Sequence, residues 1–272
     1  MIAGGIVAAV TTSAPCYEEF GPPERLAPFV HCFWHFRSDA EAALQPIVPD
    51  GRPELIVHLG NPYREWPTRE VQAPILFAGQ LTRPLNLVAD GPVNVWGIRF
   101  RPDGASPFLG SSLEVVTDRR LPLSVFHGPE ADDLLVAMRS IERGGAAQAA
   151  LVTYLMGHIE GAFIDEVVRE AVDAIMAGRP WTPPETPGTR QFQRRFRKAT
   201  GISPRMLQAI RRFRSLFDRM DEDRSWSLRA LDAGYFDQPQ MARDFRRFLG
   251  CTARQWLGQP EGLARTIGEG PA

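Results

Sequence analysis

Residues 188–207, GTRQFQRRFRKATGISPRML, and residues 237–256, DQPQMARDFRRFLGCTARQW, superimpose at an offset of 49. Gln191 falls on Gln240, Arg194 on Arg243, Phe196 on Phe245 and Arg197 on Arg246. Lys198 falls on Arg247, Gly201 on Gly250, Ser203 on Thr252 and Arg205 on Arg254. Each copy reads as an amphipathic helix, with arginines on one face and a glycine at the expected C′ position. Phe192 and Phe196 mark the core side of the first copy; Met241, Phe245 and Phe248 mark that of the second.

The sequence between the copies completes the unit. Ser203-Pro204 supplies an N-cap and an N1 proline. Leu207, Ile210, Phe213, Phe217 and Met220 then form the stripe of one long helix, which Asp221-Glu222-Asp223 ends. A short helix from Ser225 or Ser227 carries Leu228, Ala230 and Leu231 and stops at Gly234. Helix, glycine turn and a second helix with exposed Gln and Arg make a helix-turn-helix. The first helix fixes the second so that its side chains reach base edges in the major groove. Two such units on one stiff helix would enter successive grooves, about 34 Å apart, without dimerising.

Charge supports a polyanion partner at one end only. Residues 1–161 carry 12 basic and 18 acidic side chains, whereas residues 188–256 carry 16 basic and 7 acidic ones. The overall net charge of −1 hides this asymmetry.

The first hundred residues read as β. Val30, Cys32, Trp34 and Phe36 alternate with His31, Phe33, His35 and Arg37. Further strand-like runs are Pro53–Leu59, Ile75–Gly79, Leu85–Ala89 and Val93–Arg101, with Gly, Pro and Asp turns between them. Helical spacing follows in Pro129–Arg143, with Leu134, Leu135, Met138 and Ile141 on one face, then in Ala146–His158 and Asp165–Met176. The expected class is α+β: a β-rich amino-terminal domain over 1–160, a cupin-like barrel or a sandwich, with trailing helices. An all-α double helix-turn-helix domain over 161–272 follows, and this fragment is expected to bind DNA by itself.

Two stretches resemble the AraC/XylS signature. One is Gly234-Tyr235-Phe236-Asp237-Gln238, Met241-Ala242-Arg243-Asp244-Phe245 and Gly250-Cys251-Thr252; the other is Phe192-Gln193-Arg194-Arg195-Phe196 with Gly201-Ile202-Ser203-Pro204. Phe33-Trp34, Pro49-Asp50-Gly51 and Gly97-Ile98-Arg99-Phe100-Arg101-Pro102 resemble an uncharacterised domain that precedes such units. The resemblance implies a transcription regulator that binds double-stranded DNA. Base contacts would fall to Arg190, Gln193 and Arg194 on the first recognition helix and to Gln238, Gln240 and Arg243 on the second. Arg195, Arg197, Lys198, Arg246 and Arg247 are read as phosphate contacts, which position without specifying. A small-molecule effector on the amino-terminal domain, contact with RNA polymerase and a homodimer are compatible with that family.

The sequence departs from the pattern in three places. Met241 stands where phenylalanine is common, and Ala253 replaces the usual proline. The offset of 49 also places the first unit's scaffold helix at 176–184, where Pro180, Pro183 and Pro184 lie. An interior proline costs a helix about 3 kcal/mol or more. Either the helix at 165–176 takes over, or the first unit is degenerate and the protein acts through a protein partner.

Other chemistries find little support. His31 and His35 lie about 13 Å apart on a strand, too far to share one metal ion. His58, Trp34, Trp66 and Trp96 read as core residues. Cys16, Cys32 and Cys251 are scattered. No nucleophile elbow, Walker loop, dinucleotide fingerprint or H-E-x-x-H is present. No catalytic residue, cofactor or metal is expected. No apolar run reaches the ~18 residues of a membrane span, so the cytoplasm is the expected location.

Overall fold

The computed structural model describes residues 15–39, 44–141, 144–183, 185, 188–217 and 226–257. Expectations resting on Met1–Val10, Pro184, Met220, Asp221–Asp223 and Ser225 lie outside these residues.

The strands are β1 (Cys16–Phe20), β2 (Val30–Ser38), β3 (Leu44–Ile47), β4 (Glu54–His58), β5 (Arg64–Trp66), β6 (Ile75–Ala78), β7 (Leu85–Val88), β8 (Val93–Phe100) and β9 (Arg120–Pro122). They form a six-stranded sheet ordered β1-β2-β8-β4-β6-β9 and a three-stranded sheet ordered β3-β7-β5. Neither order closes on itself, so of the two expected forms the open sandwich stands and the barrel does not. Strands β1, β3, β5 and β9 escaped the sequence reading. They are as short as β4, β6 and β7 but carry Glu18 and Glu19, Gln45 and Pro46, Arg64 and Glu65, and Arg120, so no apolar run marks them.

One register detail overturns the expected alternation. β2 pairs with β8 through Val30–Phe100 and Cys32–Arg99, a bulge that leaves His31 unmatched. The bulge puts Val30 on the same side as Phe33, while Cys32, Trp34 and Phe36 face the second sheet. On the Val30 side lie helices α1 (Ala105–Leu109), α2 (Ser124–His127), α3 (Glu130–Arg139) and α4 (Gly144–His158). Leu134, Met138, Leu151 and Leu155 pack there with Phe33, Leu55, Phe77 and Ile98. On the other side Trp34 lies over Gly97, where any β-carbon would stand 2.1 Å from the indole. Trp96 is buried, but Trp66 is 45% exposed and is no core residue.

The carboxy-terminal part is helical: α5 (Glu166–Met176), α6 (Thr189–Thr200), α7 (Pro204–Ser215), α8 (Trp226–Asp232), α9 (Gln238–Leu249) and α10 (Ala253–Leu257). One core joins Val168, Val172 and Ile175 of α5 to Phe192, Phe196, Leu207, Ile210, Phe213, Phe245 and Phe248. α7 is shorter than the expected long helix. At its end Leu216 N bonds Phe213 O and Phe217 N bonds Arg214 O, three-residue spacings that tighten the last turn. Ala230 of α8 enters the core, whereas Leu228 and Leu231 are more than half exposed.

The two parts are welded together. Val48, from the segment between β3 and β4, belongs to the carboxy-terminal core. Beside it Gly51 (φ +82) meets Leu207, whose Cδ1 would stand 2.7 Å from an added β-carbon. Arg169 of α5 donates to Asp103 Oδ2 at 2.7 Å and to the Pro28 carbonyl at 2.6 Å, and Arg101 pairs with Asp173. Residues 162–272 alone would expose these faces, so their expected independence is not what the packing favours.

Candidate nucleic-acid interface

Each recognition helix is held by a cap at one end and a buried aromatic face along one side. In the second unit α8 ends in a Schellman motif: Tyr235 N bonds Ala230 O, Gly234 N bonds Leu231 O, and Gly234 takes φ +81. Asp237 then caps α9, its carboxylate accepting from Gln240 N at 2.6 Å. The Gln240 side chain reaches back to accept from Phe236 N at 3.0 Å. Asp244, Phe245 and Phe248 are buried, which turns Arg243, Arg246 and Arg247 outward. Asp244 accepts from Arg212 of α7 at 2.9 Å, and the Arg212 guanidinium lies 4.8 Å from the Tyr235 ring centroid.

The first unit has the same parts. α5 also closes in a Schellman motif: Arg179 N bonds Ala174 O, Gly178 N bonds Ile175 O, and Gly178 has φ +66. Gly178 and Gly234 are 56 residues apart, while α6 and α9 begin 49 apart, at Thr189 and Gln238. The difference of seven is an insertion in the first unit's turn. The scaffold helix is therefore present as α5, displaced in sequence by that insertion, and the proline-rich stretch is the turn. Trp181 fastens the turn by packing its ring, tilted by 36°, 5.0 Å from that of Phe192.

Burial of Phe192, Phe196 and Thr200 turns Arg190, Gln193, Arg194, Arg197 and Lys198 to solvent. At 100° per residue, Arg190, Gln193, Arg194 and Arg197 share one outward arc. Arg197, read as a phosphate contact, thus stands among the base-contact candidates. Among the described residues no ion pair engages Arg190, Arg194, Arg197, Lys198, Arg243, Arg246 or Arg247, which leaves their charge for an external anion. The Arg247 guanidinium rests 5.6 Å from the Phe248 ring centroid.

Two assignments change. Arg195 faces α5, donating to both carboxylate oxygens of Asp165 at 2.6 and 2.5 Å, a hydrogen bond that raises its pKa. It is half-buried and committed, so it leaves the phosphate set. Gln240 is half-buried, with its carbonyl oxygen taken by the cap. Gln238 is fully outward at the start of α9.

The site also has a support that sequence reasoning missed. α6 lies against the 3-10 turn Leu113–Val116 and α1 of the amino-terminal part. Thr117 Oγ1 donates to the Gly201 carbonyl at 2.7 Å, where the positive φ of Gly201 ends α6. Thr117 carries no motif that could have signalled this.

Two histidines singled out in the sequence are engaged by neighbouring side chains. His35 Nε2 bonds Asn94 Oδ1 at 2.8 Å and its ring stacks on Trp96. His58 is fully buried and bonds Gln72 at 3.2 Å. Among the described residues no cluster of potential ligands could hold a metal ion, and no helix is long and apolar enough to cross a membrane.

Two family models match parts of the sequence. A family model described as a helix-turn-helix domain matches residues 188–259, and one described as a domain of unknown function (DUF6597) matches residues 18–122. No curated protein matches the chain. Two crystal structures of ToxT from Vibrio cholerae are similar at a TM-score of 0.39 each. One is 10% identical, covering 82% of this chain and 95% of that one; the other is 12% identical, covering 83% and 97%. The match over residues 188–259 takes in both α6 and α9, so the repeated unit is similar to a helix-turn-helix domain, and residues 18–122 are similar to a separate domain of unknown function that precedes it in this chain.

Proposed function

We propose that this chain is a sequence-specific DNA-binding transcription regulator in which both helix-turn-helix units engage duplex DNA. The carrying observation is the pair of outward arginine faces on α6 and α9, each backed by its own scaffold helix. Arg190, Gln193, Arg194, Gln238 and Arg243 are the base-contact candidates, and Arg197 joins them. Lys198, Arg246 and Arg247 are the phosphate contacts. α7 fixes the spacing of the units by packing Leu207, Ile210 and Phe213 in the shared core. A small effector acting through the amino-terminal domain, and contact with RNA polymerase, belong to the same reading.

The alternative, a degenerate first unit working through a protein partner, rested on the missing scaffold helix. With α5 in that place its motive is gone.

The test is binding of the full chain to duplex DNA by fluorescence anisotropy across a salt series. A steep fall of log K with log salt is expected, because each phosphate contact releases counterions. Absence of binding at about 50 mM salt, where such contacts are strong, overturns the proposal.

A further inference from the structure

A cleft of about 490 Å³ opens between α1, the non-helical connector 159–165 and α6. That volume falls within the roughly 300–1,000 Å³ of small-molecule sites. Its lining includes Asp103, whose side chain is 2% exposed. Asp103 Oδ2 accepts from Arg169, but Oδ1 is buried with no hydrogen-bond partner. A buried acceptor left unpaired is costly and asks for a donor. Pro107, Phe163 and Ile164 give the cleft an apolar wall, and Phe163 is a large aromatic left 79% exposed there. Arg195 also lines it but is paired with Asp165, and the carboxylates of the lining (Asp103, Glu160 and Asp165) outnumber its cations Arg195 and Lys198. The cleft therefore has no surplus of positive charge to draw an anion.

We propose that this cleft binds a small molecule with a hydrogen-bond-donating amine or amide head, placed on Asp103. Its aromatic or aliphatic body lies against Pro107, Phe163 and Ile164. The occupant touches both halves of the chain, because Lys198 and Ala199 of α6 form one wall. A ligand that prefers one placement of α6 over another shifts DNA affinity by that preference. Only this regulatory consequence rests on the DNA-binding reading above; the site does not.

The experiment titrates the full-length protein with benzylamine, benzamide and phenylacetate, followed by ligand-observed NMR. Benzylamine and benzamide are expected to bind at about millimolar Kd, as befits probes of their size. Phenylacetate, an acceptor that meets a carboxylate, is expected to bind at least about tenfold more weakly. Asp103→Leu is expected to weaken benzylamine about tenfold. Ala162→Trp should do the same by filling the cleft from the connector, at a residue outside the Asp103–Arg169 pair. Equal binding of the three probes, binding unaltered in Ala162→Trp, or no binding of any probe overturns the proposal. Duplex DNA binding measured on the same preparation separates the failures. DNA binding without benzylamine binding sinks the cleft alone. Benzylamine binding without DNA binding sinks the regulator reading and leaves the cleft.

Discussion

Asp165 and Arg195 lock the first unit's scaffold helix to its recognition helix: the carboxylate caps α5 through Val168 N at 3.3 Å and accepts two hydrogen bonds from the guanidinium on α6. One side chain therefore fixes both the start of α5 and its placement against α6. Asp165→Ala removes the cap and should cost about 1 kcal/mol from that alone. Urea unfolding of the full chain measures it. Arg195→Ala should leave the salt dependence of DNA binding unchanged; a slope reduced by about one would mean that Arg195 contacts phosphate after all.

Arg243 and Arg247 sit on the same helix with different expected roles. Arg243→Ala should reduce discrimination between a bound site and random DNA by about 1–3 kcal/mol, the worth of a bidentate contact to guanine. Arg247→Ala should weaken all sequences alike and lower the salt slope by about one. Competition binding against random duplex distinguishes them, and equal loss of specificity in both contradicts the assignment.

Gly201 and Gly250 are equivalent in the repeat but differ in their surroundings. Both have positive φ, so alanine strains either. At Gly201 an added β-carbon would also stand 2.8 Å from Thr117 Oγ1 and 2.9 Å from Leu113 O. At Gly250 the nearest atom is Pro84 Cγ at 3.7 Å, an ordinary contact. Gly250→Ala should cost about 1 kcal/mol, and Gly201→Ala should cost more. Thermal unfolding of the two variants side by side would expose a reversed order.

The welded interface makes the fragment 162–272 a sensitive test. Without Val48 and Gly51, Leu207 and Ile210 lose the surface that covers them in the full chain. The isolated fragment should melt at lower temperature than the full chain and be cleaved faster by protease. Equal protease resistance of α6 and α7 in both would show the contact to be energetically idle.

His58 confers a pH dependence on the amino-terminal part. Burial lowers its pKa from 6.5 to about 4, and Nδ1 is buried without a partner. The unfolded chain therefore binds the proton first on acidification. Stability is fully present above about pH 6.5 and drains away toward pH 4, by up to about 3 kcal/mol. His31, also lowered to about 4 by burial, acts in the same direction. His58→Gln should flatten part of the loss between pH 7 and 4.5 in denaturant titrations; an unaltered slope would place the effect elsewhere.

The repeat was legible because it is written locally. Phe192, Phe196, Phe245 and Phe248 set helical faces, glycines stop the helices, and arginines occupy what remains. Helical period and cap chemistry need no knowledge of the rest of the chain, and these alone determined the double unit and its basic faces. Five features depended on tertiary structure. The bulge at His31, which moved Val30 to the other core, is set by pairing with β8. The role of α5 depends on a seven-residue insertion that breaks the repeat's spacing, so a search at fixed offset falls on prolines. The diversion of Arg195 to Asp165, the seating of Gly201 on Thr117 and the entry of Val48 into the helical core join residues 30 to more than 100 positions apart. Side chains at such separations are brought together by packing of the whole chain, and no local pattern carries them.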